Sequence, residues 1–141
     1  MTSVVMARSR ASAIPSNAAR SRPPCVLVAD DDEDIRDLVA MSLRAAGYSV
    51  VTAADGAEAL RVIGEENPDA AILDVMMPLV SGFQICQQMR EDPATHGLPV
   101  IFLTAKADLD SISAGLEYGA DAYFAKPVVL RHLVSEVGSL L

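Results

Sequence analysis

Five short apolar runs, each followed by a segment of helical periodicity, recur between residues 25 and 141 and leave few folds open. The runs fall at 25–29, 49–53, 70–73, 100–103 and 120–125. Three of them are almost wholly apolar: Val26-Leu27-Val28-Ala29, Ala70-Ala71-Ile72-Leu73 and Val100-Ile101-Phe102-Leu103. A strand with one wet face alternates apolar and polar residues. A strand with no polar face is covered on both sides, as happens in parallel sheets packed between helices. The second and fifth runs are more mixed, as edge strands can be.

The intervening segments supply the helices. Residues 34–46 place Ile35, Leu38, Val39, Leu43 and Ala46 on one face, and Gly47 stops the helix. Asp55-x-x-Glu58 and Ser81-x-x-Gln84 have the spacing of capping boxes and open the next two. Residues 108–118 carry Leu109, Ile112 and Leu116 and end at Gly119, and residues 128–141 carry Leu130, Leu133, Val134, Val137 and Leu140. Five β-α units at this spacing predict a doubly wound α/β domain. The 141 residues suffice for one such domain and not for two.

Charge divides the chain. Residues 1–24 hold Arg8, Arg10, Arg20 and Arg22, four of the eleven basic residues, and no acid. Residues 25–141 hold all 19 acids and a net charge of −12. An acidic body without Trp offers neither the phosphate-neutralising stripe nor the stacking platform of a nucleic-acid binder, so direct nucleic-acid binding is not expected. No stretch approaches the roughly 18 consecutive apolar residues of a membrane span, which predicts a soluble protein. Cys25 and Cys86 lie far apart without metal or redox spacing, and read as small core residues in a reducing, cytoplasmic setting. The Ser-, Ala-, Arg- and Pro-rich residues 1–24 read as a disordered basic extension ahead of the 25–141 domain, or as the product of an upstream start with the true start nearer Met6. Their acid-free composition also suits a transit peptide. A secretory signal fits poorly, because Val4-Val5-Met6 is too short and precedes the arginines.

In open parallel sheets ligands bind beyond the carboxyl ends of the strands, so the residue closing each run is a site candidate. After Ala29 come Asp30, Asp31 and Asp32. Asp74 follows Leu73, Thr104 follows Leu103 and Lys126 follows Ala125. Neighbouring carboxylates stay ionised together only if a cation neutralises them. A hard divalent ion with oxygen ligands and open water positions, Mg²⁺, meets that need. A metal, a lysine and a hydroxyl around one carboxylate form an arrangement suited to a phosphoryl group, whose transfer requires mainly positioning and charge neutralisation.

Four segments, Val26-Leu27-Val28-Ala29-Asp30-Asp31-Asp32, Leu73-Asp74-Val75-Met76-Met77-Pro78, Leu103-Thr104-Ala105 and Tyr123-Phe124-Ala125-Lys126-Pro127, each close a predicted strand. Taken together and in this order, they make residues 25–141 resemble the response-regulator receiver family, of the stand-alone chemotaxis-regulator kind. The resemblance implies a flavodoxin-like (βα)5 fold with a five-stranded parallel sheet in the order 2-1-3-4-5. It implies that Asp74 accepts a phosphoryl group from the phosphohistidine of a sensor histidine kinase or a histidine phosphotransfer protein. Asp31, Asp74 and the backbone carbonyl of Met76 would hold Mg²⁺, with Asp30 acting through a water. Lys126 would pair with the phosphoryl oxygens, Thr104 would hydrogen-bond them, and Tyr123 would be the switch aromatic. The Lys126–Pro127 bond is typically cis in such proteins.

By the same resemblance the chain is not an enzyme beyond its own phosphorylation and dephosphorylation. It is expected to be a monomer or phosphorylation-linked dimer, to lack an output domain, and to signal through a face of the fourth helix, fifth strand and fifth helix. Onward relay to a histidine protein and a role as phosphate sink are alternatives. The loop Leu79-Val80-Ser81-Gly82 departs from the family pattern with Ser in place of an acid. Val128 stands for the common Phe, and Met76 and Lys106 flank the route of the attacking water.

Other readings of the same residues fare less well. Asp32, Glu33 and Asp34 suit a helix start. A calcium loop on Asp30, Asp32 and Asp34 fails, since Ile35 and Met41 stand where glycine and glutamate are required. An aspartyl phosphohydrolase needs a second acid at Met76. A pure binding module has no need of Asp30, Asp31, Asp74, Thr104 and Lys126 together. Thr104 as a helix cap, Tyr123 as simple core and the Met76–Met77 pair as packing are the plainer alternatives at those positions, and His96 and His132 read as structural or exposed.

Overall fold

The structure is a computed structural model and describes the backbone of Val4–Ala7 and residues 22–141. In chain order the elements are β1 (Val4–Ala7), β2 (Cys25–Ala29), α1 (Glu33–Ala45), β3 (Ser49–Ala53), α2 (Gly56–Glu66), β4 (Ala70–Leu73), α3 (Gly82–Glu91), β5 (Val100–Thr104), α4 (Leu109–Glu117), β6 (Ala122–Ala125) and α5 (Leu130–Leu140). They form one sheet in the order β1-β6-β5-β4-β2-β3. From β3 to β6 the pairing is parallel, and these five strands reproduce the predicted order 2-1-3-4-5.

Residues 1–24 depart from the reading as a wholly disordered arm. Val4–Ala7 runs antiparallel along the outer edge of β6, with Val4 opposite Phe124, Met6 opposite Tyr123 and Ala7 opposite Ala122. The physical reason is that β6 has backbone donors and acceptors to share on that side, and a four-residue apolar segment is long enough to meet them. Of the two mixed strands, β3 is an edge, whereas β6 lies between β1 and β5. The remainder of the 1–24 expectation, including the targeting alternative, lies outside the described residues.

Two apolar layers cover the sheet. On one face Leu27, Ala29, Leu73, Phe102 and Tyr123 meet Ala59, Ile63, Ile85, Met89 and Ile112 from α2, α3 and α4. On the other, Val26, Val28, Ile72, Ile101, Leu103 and Phe124 meet Val39, Leu43, Leu133 and Val137 from α1 and α5. Alternate residues of one strand thus enter different layers, so β2, β4 and β5 are buried throughout. Asp55 caps α2 and Ser81 closes a complete capping box with Gln84 at α3. Asp32 caps α1 and Asp108 caps α4, and the two helices begin at Glu33 and Leu109, one residue from their predicted starts.

The register aligns the strand ends. Ala29 lies opposite Leu73, and the Asp74 N–H donates to the Ala29 carbonyl at 3.0 Å. Thr104 lies opposite Ala125, and the Lys126 N–H donates to the Thr104 carbonyl at 2.9 Å. Asp30, Asp74, Thr104 and Lys126 therefore emerge along one edge of the sheet.

Candidate functional site

At that edge the carboxylates of Asp30, Asp31 and Asp74 each present an oxygen within 4.8 Å of the others. Asp30 and Asp74 are buried and Asp31 is exposed, so the cluster opens to solvent on one side. Lys126 Nζ lies 2.8 Å from Asp30 Oδ2 and 3.1 Å from Asp74 Oδ2. Backbone amides fix the opposite oxygens: Asp32 N–H donates to Asp30 Oδ1 at 2.9 Å, and Met76 N–H donates to Asp74 Oδ1 at 3.0 Å. Each buried carboxylate is thus held at both ends. The Lys126–Pro127 peptide bond is cis.

The electrostatics follow from burial and crowding. Burial first, then the charge of Asp74, pushes the Asp30 carboxyl above the ordinary carboxylate range, against the opposing pull of Lys126 and the Asp32 amide. For Lys126 burial works against the charge, but pairing with Asp30 and Asp74 outweighs it and raises the ammonium pKa. Three carboxylates facing one ammonium leave two negative charges uncompensated, the complement of a divalent cation. All the donors are oxygens, which selects a hard ion over zinc or copper.

Thr104 is fully buried beside this cluster, and its hydroxyl accepts the Lys106 N–H at 3.3 Å. Asp108 provides the cap of α4, so Thr104 is not that cap. Tyr123 is fully buried, with its ring edge-on to Phe102 and its hydroxyl donating to the Lys106 carbonyl. Lys106 therefore joins the two through its own peptide groups, accepting from Tyr123 and donating to Thr104. Gly115 of α4 makes room for the ring: a Cβ there would lie 2.9 Å from two Tyr123 ring carbons. Met77 is core, whereas Met76 is 59% exposed and meets the site through its backbone N–H, which donates to Asp74. The His96 carbonyl accepts from Arg90, which makes that residue part of a structural contact.

Burial, reinforced by the charges of Asp108 and Asp74, raises the Tyr123 pKa from 10 to about 12. Ionisation is harder in the folded protein than in the unfolded chain. The stability carried by neutral Tyr123 is therefore intact below about pH 10 and is lost as pH rises toward 12. Alkaline titration of tyrosinate absorbance is expected to show a component near pH 12 that disappears in Tyr123→Phe. A titration in which that variant retains the component would reject the assignment.

Two contributors carry no sequence signal. Arg36, one turn into α1, sends Nη1 back to the Asp30 carbonyl at 2.9 Å and so fixes the backbone of a site residue. Gly82, the first residue of α3, lies directly behind Asp74: a Cβ there would stand 2.5 Å from the Asp74 carbonyl oxygen.

Comparison with known proteins identifies the family of this domain. The family model for the response regulator receiver domain matches residues 26–138. The chain is 43% identical over 119 residues to the response regulator MprA of Mycolicibacterium vanbaalenii, covering 84% of this chain and 51% of that protein. It is 45% identical over 118 residues to the transcriptional regulatory protein PrrA of Mycobacterium tuberculosis, covering 84% and 50%. The chain thus spans about half the length of the curated relatives it matches. Among solved structures, a putative response regulator from Chloroflexus aurantiacus superposes with a TM-score of 0.81 at 40% identity, over 84% of this chain and 98% of that one. The chemotaxis protein CheY4 of Vibrio cholerae gives 0.79 at 33%, over 84% and 99%. No helix among the described residues is long and apolar enough to cross a membrane. A match that runs through all five parallel strands, in sequence and in structure, establishes that the chain belongs to the response regulator receiver domain family, the signal-receiving domains of two-component systems.

Proposed function

We propose that Asp74 accepts a phosphoryl group from a phosphohistidine and that the resulting acyl phosphate switches a protein-interaction face. Receiver domains of this family bind Mg²⁺ in an acidic pocket and work with histidine kinases. The observation that carries the reading is the convergence of Asp30, Asp31 and Asp74 within 4.8 Å, with Lys126 3.1 Å from Asp74.

Asp31, Asp74 and the Met76 carbonyl would hold Mg²⁺ directly and Asp30 would hold it through a water. When bound, the ion supplies the positive charge that offsets the incoming phosphoryl oxygens. Asp74 Oδ attacks phosphorus, the P–N bond to the donor imidazole breaks, and the imidazole leaves with its electron pair and takes up a proton. Lys126 already pairs with Asp74 and moves by no more than a side-chain rotation to meet a phosphoryl oxygen. The Thr104 hydroxyl donates to another. Because Lys106 is bonded to both Thr104 and Tyr123, a shift of Thr104 toward the phosphoryl group pulls on the peptide that holds Tyr123. That couples the site to α4, β6 and α5, the proposed signalling face, through an equilibrium present before phosphorylation. The partners are a sensor histidine kinase or a histidine phosphotransfer protein, and a downstream protein target, in the cytoplasm. The chain catalyses only its own phosphorylation and dephosphorylation, as a monomer or a phosphorylation-linked dimer.

The test is intact mass after incubation with Mg²⁺ and acetyl phosphate. One added phosphoryl group is expected in the wild type and none in Asp74→Asn or in the presence of chelator. Addition to Asp74→Asn at the wild-type level would sink the assignment. Mg²⁺ alone is expected to stabilise the fold by about 1.4 kcal/mol at ten times its Kd, a rise in Tm of about 5 °C. Thermal melts should show this rise reversed by chelation and absent in a variant with both Asp31→Asn and Asp74→Asn.

A further inference from the structure

The outer edge of β6 belongs to the face through which the proposed switch would signal, and it is covered by a segment that no functional reading uses. Ala122–Ala125, Ala-Tyr-Phe-Ala, has neither proline nor a charged residue within the strand. Bare, such an edge is a template for any extended chain, because its N–H and C=O groups point outward without partners. Here Val4–Ala7 satisfies them by antiparallel addition, with the register interrupted between Val4 and Met6. Strand addition of this kind takes its affinity from main-chain hydrogen bonds and is open to any segment of compatible shape.

We propose that the β6 edge is a strand-docking surface whose resident is the chain's own Val4–Ala7, and that an extended segment of a partner reaches this edge only by displacing it. Three observations support a resident that is specific yet displaceable. The sequence of residues 1–24 is basic and acid-free, whereas the body bears a net charge of −12, so the segment that carries Val4–Ala7 is attracted to the domain. A four-residue strand with an irregular register forms few hydrogen bonds, which keeps its release inexpensive. Finally, Met6 stands opposite Tyr123, whose hydroxyl is tied through Lys106 to Thr104 at the acidic site. Docking at the edge and events at Asp74 therefore converge on the same residue, and any bias of one by the other is reciprocal. The docking stands independently of the phosphoacceptor assignment; only its use in signalling rests on that assignment.

The experiment is amide hydrogen exchange on the full chain, comparing wild type with the double variant Val5→Pro/Met6→Pro, which cannot complete the added strand. Amides of Ala122–Phe124 that point away from β5 are expected to exchange about tenfold faster or more in the variant, while those of β2 and β4 keep their rates. Met6→Asp, which places a charge in the added strand, should give the same pattern. Equal rates at β6 in wild type and both variants would overturn the proposal. So would an acceleration shared equally by β2 and β4, since that reports a general loss of stability. Intact mass with acetyl phosphate and Mg²⁺ is measured on the same samples. Protection of β6 without phosphoryl uptake supports the docking and rejects the acceptor reading alone. Uptake at Asp74 without protection of β6 rejects the docking alone.

Discussion

Gly82→Ala is expected to slow phosphoryl uptake at Asp74 by about tenfold or more while the domain still folds. The new Cβ would lie 2.5 Å from the Asp74 carbonyl oxygen and 3.0 Å from both the Asp74 carbonyl carbon and the Val75 Cα. Its neighbours are backbone atoms, which cannot rotate away as a side chain would. Asp74 is held by its N–H bond to the Ala29 carbonyl at 3.0 Å, and α3 is held by the Ser81–Gln84 capping box and by buried Ile85. Relief comes either from a shift of the Asp74 backbone or from a retreat of α3 that breaks the 3.1 Å bond from Gly82 N–H to the Val75 carbonyl. Both move the Asp74 carboxylate relative to Lys126. Overpacking of this kind costs about 1–3 kcal/mol in stability. The control is Gly64→Ala in α2, where a Cβ meets nothing within 4 Å. That change is expected to stabilise by about 0.5–1 kcal/mol and to leave uptake unaltered. Time courses of intact mass with acetyl phosphate decide the matter: a Gly82→Ala protein phosphorylated at the wild-type rate would refute the account.

The contrast between Gly82 and Asp74 shows what a sequence of this kind discloses. Asp30, Asp74, Thr104 and Lys126 are legible because each directly ends an apolar run, and in a parallel sheet the carboxyl ends of strands are where chemistry collects. Asp55 and Ser81 are legible because a cap needs a fixed spacing to its partner three residues on. Such signals are local. Gly82 opens α3, a place where glycine has many uses, and only the approach of Asp74 from the end of β4 makes the missing side chain matter. The side chain of Met76 reads as packing from its apolar character, yet the residue is largely exposed and engages Asp74 through its N–H. Val4–Ala7 is four residues long, with no alternation to mark it, and its partner strand lies more than a hundred residues away. Long-range pairing of a short segment leaves no period in the sequence. Arg36 and Arg90 likewise reach across space to backbone carbonyls, and nothing about a helical arginine announces its target.

Arg90 carries the largest expected loss of stability. From α3 its Nε and Nη2 donate to the Gly119 carbonyl at 3.1 and 2.8 Å, and its Nη1 donates to the carbonyls of His96 at 3.0 Å and Leu98 at 2.8 Å. Nη2 also stands 3.5 Å from Asp121 Oδ2, a carboxylate that is itself buried and accepts the Val100 N–H at 2.9 Å. One guanidinium thus ties the end of α3 to the approach to β5 and to the turn that delivers β6. Alanine would take one cation from a largely buried carboxylate and this donor from three carbonyls, a loss of about 3 kcal/mol. For a domain of this size that corresponds to a fall in Tm of about 10 °C. Lysine supplies charge but not the planar fork, so Arg90→Lys should recover only part of it. Arg61 provides the measure of an ordinary pair. It meets Glu65 at 3.0 Å with both side chains more than half exposed, and Arg61→Ala should cost under about 0.5 kcal/mol. Denaturant melts of the three variants rank these effects. Equal midpoints for Arg90→Ala and Arg61→Ala would mean that water replaces the guanidinium at little cost. The ranking Arg90→Ala below Arg90→Lys below Arg61→Ala would place the clamp among the main supports of the turn leading into Tyr123 and Lys126. The turn that delivers Tyr123 and Lys126 on β6 is then held by an arginine with no bond to Asp74 among the described contacts.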